Sequence, residues 1–188
     1  MKVLFLDNDG VICLNNNFGT RFKKGKQTLT QNTMDKPVVF RFDDFDKKAV
    51  KVLNEIITES DCEIVVSSDW RRWATVEELS EYYESQGVIK KPIDVTPFVN
   101  DVDVPKDFEW AREFDIEQER SLEIKDWLNK HPEVTHWVAV DDLFMGITQI
   151  DRIKKNNIWG LNNFVWCPSV YEGIKQSGVK DKILSFFL

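Results

Sequence analysis

Val3-Leu4-Phe5-Leu6-Asp7-Asn8-Asp9-Gly10 decides how this chain is read. Four apolar residues run without interruption and then stop at two carboxylates and a glycine. A run of that length with no polar alternation is how a strand buried on both faces of a parallel sheet appears. Just past a strand the backbone stays extended, so side chains two apart point to the same side. Asp7 and Asp9 are therefore expected to face one ligand while Asn8 turns away, and Gly10 lets the chain turn. Two carboxylates held this close call either for a shared proton or for a hard cation.

The same pattern recurs outward from this segment. Glu63-Ile64-Val65-Val66 closes at Ser67-Ser68, and Trp137-Val138-Ala139-Val140 closes at Asp141-Asp142. Between them, Ala49, Val52, Leu53, Ile56 and Ile57 form the one-sided stripe of an amphipathic helix, for which Asp43, Asp44 or Asp46 is the candidate cap. Thr75 and Glu78 have capping-box spacing ahead of a second helix that Gly87 would end. A third helix is expected to begin near Asp115, with Ile124, Trp127 and Leu128 on one face. Phe164-Val165-Trp166 reads as a short strand, and a last helix turns Val179, Ile183, Leu184 and Phe187 inward. Residues 13–45 read as an insert or flap, with no sustained period from Asn15 to about Lys36. Pro37 to Phe42 is a candidate strand within it, and the stretch around Pro92, Pro97 and Pro105 is read as interrupted by its prolines.

Strands alternating with helices predict an α/β fold: a doubly wound, three-layer parallel sheet in one domain spanning 1–188, with a small insert after the first strand. In such sheets ligands bind beyond the carboxyl ends of the strands. All three apolar runs end there in polar groups: Asp7/Asp9, Ser67 and Asp141/Asp142.

Composition narrows the class. The chain has 188 residues, 42% of them hydrophobic and 30% charged, which suits one folded soluble domain. A net charge of −7 opposes a protein that coats extended nucleic acid, a mode that needs a basic face, but leaves a small or end-bound phosphate open. Cys13, Cys62 and Cys167 are odd in number and widely spaced, so they predict buried thiols and not a disulfide framework. No segment has the length of a membrane span or the form of a leader, and a cytoplasmic protein is expected.

Phe5-Leu6-Asp7-Asn8-Asp9-Gly10-Val11-Ile12 resembles the first motif of the haloacid dehalogenase-like superfamily. Val65-Val66-Ser67 resembles its second motif, and Val138-Ala139-Val140-Asp141-Asp142 its fourth, in the paired-Asp form. The third is a single Lys or Arg. Arg120 is the candidate, because it lies one turn before Ile124 and shares its inward face; Lys125 and Arg112 are less favoured. More narrowly, Ser67-Ser68-Asp69-Trp70-Arg71-Arg72, Thr96-Pro97 and Arg120-Ser121-Leu122-Glu123-Ile124 with Trp127-Leu128 resemble the phosphatase module of multidomain RNA-repair proteins. The insert here is longer and lysine-containing.

The resemblance implies a Mg²⁺-dependent phosphomonoester hydrolase. Asp7 would be the nucleophile, Asp9 the general acid and base, and Ser67 and Arg120 the groups that hold the phosphoryl oxygens. Asp7, the backbone carbonyl of Asp9 and Asp142 would hold the metal, with Asp141 the alternative within the pair. Ser68, Arg71, Asn8 and Gly10 are expected around the substrate, a phosphorylated small molecule or a nucleic-acid end. Plainer readings stand beside these. Arg120 could pair with a neighbouring Glu, and Trp70-Arg71-Arg72-Trp73 reads foremost as packing. Lys23-Lys24-Gly25-Lys26 reads as a solvated cluster, and His131 and His136 lie at the start of a strand, the wrong edge for chemistry. A phosphotransferase or mutase of the same superfamily, or a non-catalytic metal-binding module, are the rival functions.

Overall fold

In a computed structural model, described over residues 1–15, 34–98, 116–147 and 160–188, the first apolar run becomes β1 (Lys2–Leu6), the central strand of a five-stranded sheet. Its neighbours are β2 (Glu63–Val66) and β4 (His136–Asp141). β3 (Pro92–Val95) and β5 (Phe164–Trp166) form the edges, and every pairing is parallel. The order β3-β2-β1-β4-β5 means that the chain winds to one side of β1 and then crosses back to the other. That reversal between β1 and β4 opens a crevice at their carboxyl ends, where Asp7 and Asp141 emerge.

The sheet is covered on both faces, which explains the unbroken apolar runs. Leu4, Leu6, Val66 and Val140 point into one core with α1 (Lys47–Ser60), α2 (Val76–Ser85) and α4 (Val179–Leu184). Val3, Phe5, Val65 and Ala139 point the other way, against Ile124 and Trp127 of α3 (Ile116–Lys130). Helix starts follow local chemistry. Asp46 caps α1 by accepting from Lys48 N and Ala49 N, each at 2.9 Å. Thr75 and Glu78 close the capping box of α2, and Gly87 follows its end at φ 88°. The three cysteines are buried and free. No helix among the described residues is long and apolar enough to cross a membrane.

Two local expectations are corrected. Pro37 to Phe42 is no strand: Val38–Phe40 is a 3₁₀ turn. Arg41 imposes this, its guanidinium reaching back to Met34 O and Lys36 O and across to Trp73 O and both oxygens of Glu78. An apolar run with no strand beside it finds its hydrogen bonds locally. Conversely, the Pro92 stretch contains β3. Pro92 is the first residue of an edge strand, a position where a missing N–H interrupts no ladder. Asp115, Arg112, Pro105, Lys23-Lys24-Gly25-Lys26 and most of 13–45 lie outside the described residues.

Candidate active site

Each strand that borders the crevice hands its pairing on by one more hydrogen bond. Asp7 N donates to Val140 O at 3.1 Å, Ser67 N to Leu6 O at 2.9 Å, and Thr96 N to Val66 O at 3.0 Å. The exit residues of β1, β2 and β3 are thereby set side by side at the carboxyl end of the sheet. Asp7, Ser67 and Thr96 are all buried.

Past Asp7 the chain folds into a tight loop. Asn8 O accepts from Val11 N, Ile12 N and Cys13 N at 3.3, 3.0 and 2.8 Å. Gly10 has φ 75°, and a Cβ there would lie 2.3 Å from Asp142 Oδ2. A residue with any side chain would therefore expel the Asp142 carboxylate from the loop, so the glycine is required twice over, for its backbone and for its bareness.

Arg120 reaches this crevice from α3. Its Nη1 donates to Asp7 Oδ1 at 3.0 Å, Ser67 O at 2.7 Å and Asp141 Oδ2 at 3.1 Å. One guanidinium thus joins the exits of β1, β2 and β4. Of the candidate cations within the described residues it is Arg120, and not Lys125, that meets Asp7. Asp141 has its other oxygen engaged as well, Oδ1 accepting from Leu143 N at 2.9 Å.

The charge balance is unfavourable without a further cation. Burial pushes the Asp7 carboxyl up to about 6; Arg120 opposes that shift and Asp9 adds to it. Burial, then the neighbouring Asp7, drives Asp141 well above the usual carboxylate range. Arg120 is raised as well, its charge secured by Asp7 and Asp141 against the cost of its burial. Ligand oxygens of Asp7, Asp141 and Asp142 lie within 4.8 Å of one another. A Mg²⁺ ion with bonds of about 2.1 Å spans oxygens up to about 4.2 Å apart, so small side-chain rotations close the difference. The donor set is all oxygen, and the bare face of Gly10 admits Asp142 to it. These residues fit the hard cation that the carboxylates call for.

Asp9 is half-buried and accepts from Trp70 Nε1 at 3.1 Å through Oδ2. Ser67 and Thr96 carry buried hydroxyls that bond to no protein group, an acceptor or donor capacity left for something entering the crevice.

Two residues expected around the substrate have side chains held by protein partners. Asn8 is fully buried and its Oδ1 accepts from Tyr83 OH at 2.5 Å, beneath the loop. Only its backbone N–H faces Asp7. Arg71 is buried in an ion pair with Glu123 of α3 at 2.5 Å, while its Nη1 donates to Ser68 O at 3.0 Å. A guanidinium placed out of water needs a fixed counter-charge, and Glu123 supplies it. Ser68 is buried beside Asp7, and its hydroxyl, like those of Ser67 and Thr96, bonds to no protein group. His131 stacks on Trp127 at 3.6 Å between ring centroids and His136 opens β4, both at the far edge of the sheet.

Sequence reasoning passed over Trp70 as a contact of Asp9, Tyr83 as the anchor of Asn8, and Glu123 as the partner of Arg71. Their separations of 61, 75 and 52 residues leave no local signal. Residues 3–163 match the model of a family described as the HAD domain in Swiss Army Knife RNA repair proteins. No curated protein and no solved structure matches the chain.

Proposed function

This chain belongs to the family of HAD domains found in Swiss Army Knife RNA repair proteins, and on that premise we propose that it hydrolyses a phosphomonoester through an aspartyl-phosphate on Asp7. Membership carries phosphatase-type hydrolase chemistry with it. The observation that supports the finer reading is the meeting of Asp7, Asp141, Asp142 and Arg120 at the carboxyl ends of β1 and β4.

Asp7, the backbone carbonyl of Asp9 and Asp142 would hold Mg²⁺ in this reading. When bound, Mg²⁺ supplies the positive charge that lets a carboxylate approach a phosphate ester dianion. Asp142 is preferred over Asp141 because both oxygens of Asp141 are already engaged, by Arg120 and by Leu143 N. Asp141 then keeps Arg120 in place.

Asp7 attacks phosphorus, forming a carboxyl–phosphorus bond as the bond to the leaving oxygen breaks. Asp9 passes its proton to that oxygen. In the second half Asp9 takes a proton from the water that attacks phosphorus, and Asp7 is released as a carboxylate with inorganic phosphate as product. Arg120 and the Ser67 hydroxyl hold the phosphoryl oxygens, where negative charge is greatest. The substrate is a phosphorylated nucleic-acid end or a nucleotide, in keeping with the RNA-repair proteins that carry this domain and with an acidic chain unsuited to coating long nucleic acid. Three free buried thiols suit a cytoplasmic protein.

Release of phosphate from 4-nitrophenyl phosphate and from 5′- and 3′-phosphorylated oligonucleotides tests this. Turnover should be abolished by EDTA, restored by Mg²⁺, and absent in a folded Asp7→Asn variant. A purified protein that hydrolyses none of these esters would overturn the reading. Transfer of the phosphoryl group to an added alcohol in preference to water would make it a phosphotransferase.

A further inference from the structure

The half-buried Asp9 is held by an indole that is itself clamped. Trp70 sits in a 3₁₀ turn, Asp69–Arg72, directly after Ser67-Ser68, and its Nε1 donates to Asp9 Oδ2 at 3.1 Å. Phe42 lies parallel to the indole at 4.2 Å with an interplanar angle of 4°. Phe45 stacks at 5.5 Å, and Tyr82 meets the ring edge-on at 5.6 Å. Tyr82 is anchored in turn by its hydroxyl, which donates to Asp43 O at 2.7 Å. The indole is 4% exposed.

A ring packed on these sides cannot rotate, and an indole has a single donor. The N–H therefore points to one place, and it captures one oxygen of a carboxyl group that would otherwise sample several rotamers. An oxygen that accepts this N–H leaves its partner oxygen to carry the proton. Burial of hydrophobic area needs no such aim: Phe at position 70 would fill much of the same volume.

We propose that Trp70 is a positioning residue for Asp9, which commits Oδ2 to the indole and makes Oδ1 the oxygen that exchanges the proton with the leaving group. The inference rests on the acid and base role given to Asp9 above. Phe42 and Phe45 extend it to the end of the insert, since the two rings that fix the indole plane come from there.

Leaving-group dependence separates positioning from packing. In Trp70→Phe, kcat/KM on an alkyl phosphomonoester, which reports only the half-reaction that expels the leaving group, should fall about tenfold or more, because an alkoxide must be protonated as it departs. With 4-nitrophenyl phosphate, whose leaving group departs as a stable anion, the fall in kcat/KM should be less than about twofold. Phe42→Leu, which loosens the indole but keeps its N–H, should show the same selectivity at smaller size, and it carries the kinetic test if Trp70→Phe does not fold. An equal loss on both esters, or no loss on either, overturns the proposal. A wild-type protein inactive on both esters overturns the phosphatase reading itself. Independently of turnover, the Trp70 indole ¹H–¹⁵N resonance should move in Asp9→Asn while the other six tryptophans stay; an unmoved Trp70 signal overturns the contact on which the proposal stands.

Discussion

Gly10 and Asp142 occupy each other's space: the carboxylate oxygen of Asp142 sits 2.3 Å from where a Cβ on Gly10 would be. Gly10→Ala should therefore move Asp142 and weaken Mg²⁺ binding at least tenfold by titration calorimetry. The positive φ of 75° adds a stability loss of about 1–2 kcal/mol, read by denaturant unfolding. Unchanged Mg²⁺ affinity in a folded variant would remove Asp142 from the metal site.

Arg120 is the shared counter-charge of Asp7 and Asp141. Arg120→Ala leaves two buried carboxylates uncompensated, and removal of one partner from a buried charge cluster costs about 3–5 kcal/mol. The EDTA-treated variant should unfold at markedly lower denaturant than the wild type. Added Mg²⁺ should recover part of the difference, because it can serve as the missing cation.

The metal-free protein should lose stability as pH rises. The Asp7 carboxyl stands at about 6 in the folded chain against 3.8 in its ordinary state, so the folded form binds more protons between those values. Its contribution is most favourable below pH 4 and falls through pH 6, by on the order of 3 kcal/mol. Asp141 shifts in the same direction. Differential scanning fluorimetry in EDTA should show a Tm that declines across this window, a smaller decline in Asp7→Asn, and a Mg²⁺-induced rise in Tm that grows with pH.

Asp46 behaves in the opposite sense. Burial opposes its ionisation, yet Ala49 N, Lys175 and Lys48 N together hold its carboxyl below the ordinary range. Its stabilising effect is present above pH 4 and disappears as pH falls through the lowered value. Asp46→Ala should cost about 1 kcal/mol near neutral pH and less in acid, by urea unfolding.

What could be read from the residues alone follows from how local each cause is. β1, β2 and β4 announced themselves because a strand covered on both faces must be apolar throughout. α2 did so because Thr75 and Glu78 are three residues apart. Asp7, Ser67 and Asp141 were legible as strand exits, and Arg120 by its phase relative to Ile124. β3 was hidden because Pro92 signals interruption unless the strand is known to lie at an edge. Val38–Phe40 misled because β-branched residues favour a strand only where another strand is present. The side-chain partners of Asn8 and Arg71 were not legible because Tyr83 and Glu123 come from α2 and α3, elements whose position depends on the whole sheet.

The three strand-exit amides have a dynamic consequence. Asp7 N, Ser67 N and Thr96 N are bonded to neighbouring strands of the sheet and not into a surface loop. Their exchange with solvent deuterium should follow global unfolding, so the backbone at Asp7 opens only when the domain does. Breathing motions that admit a ligand to the crevice must then arise at Asp9 and beyond, leaving the backbone at Asp7 stationary.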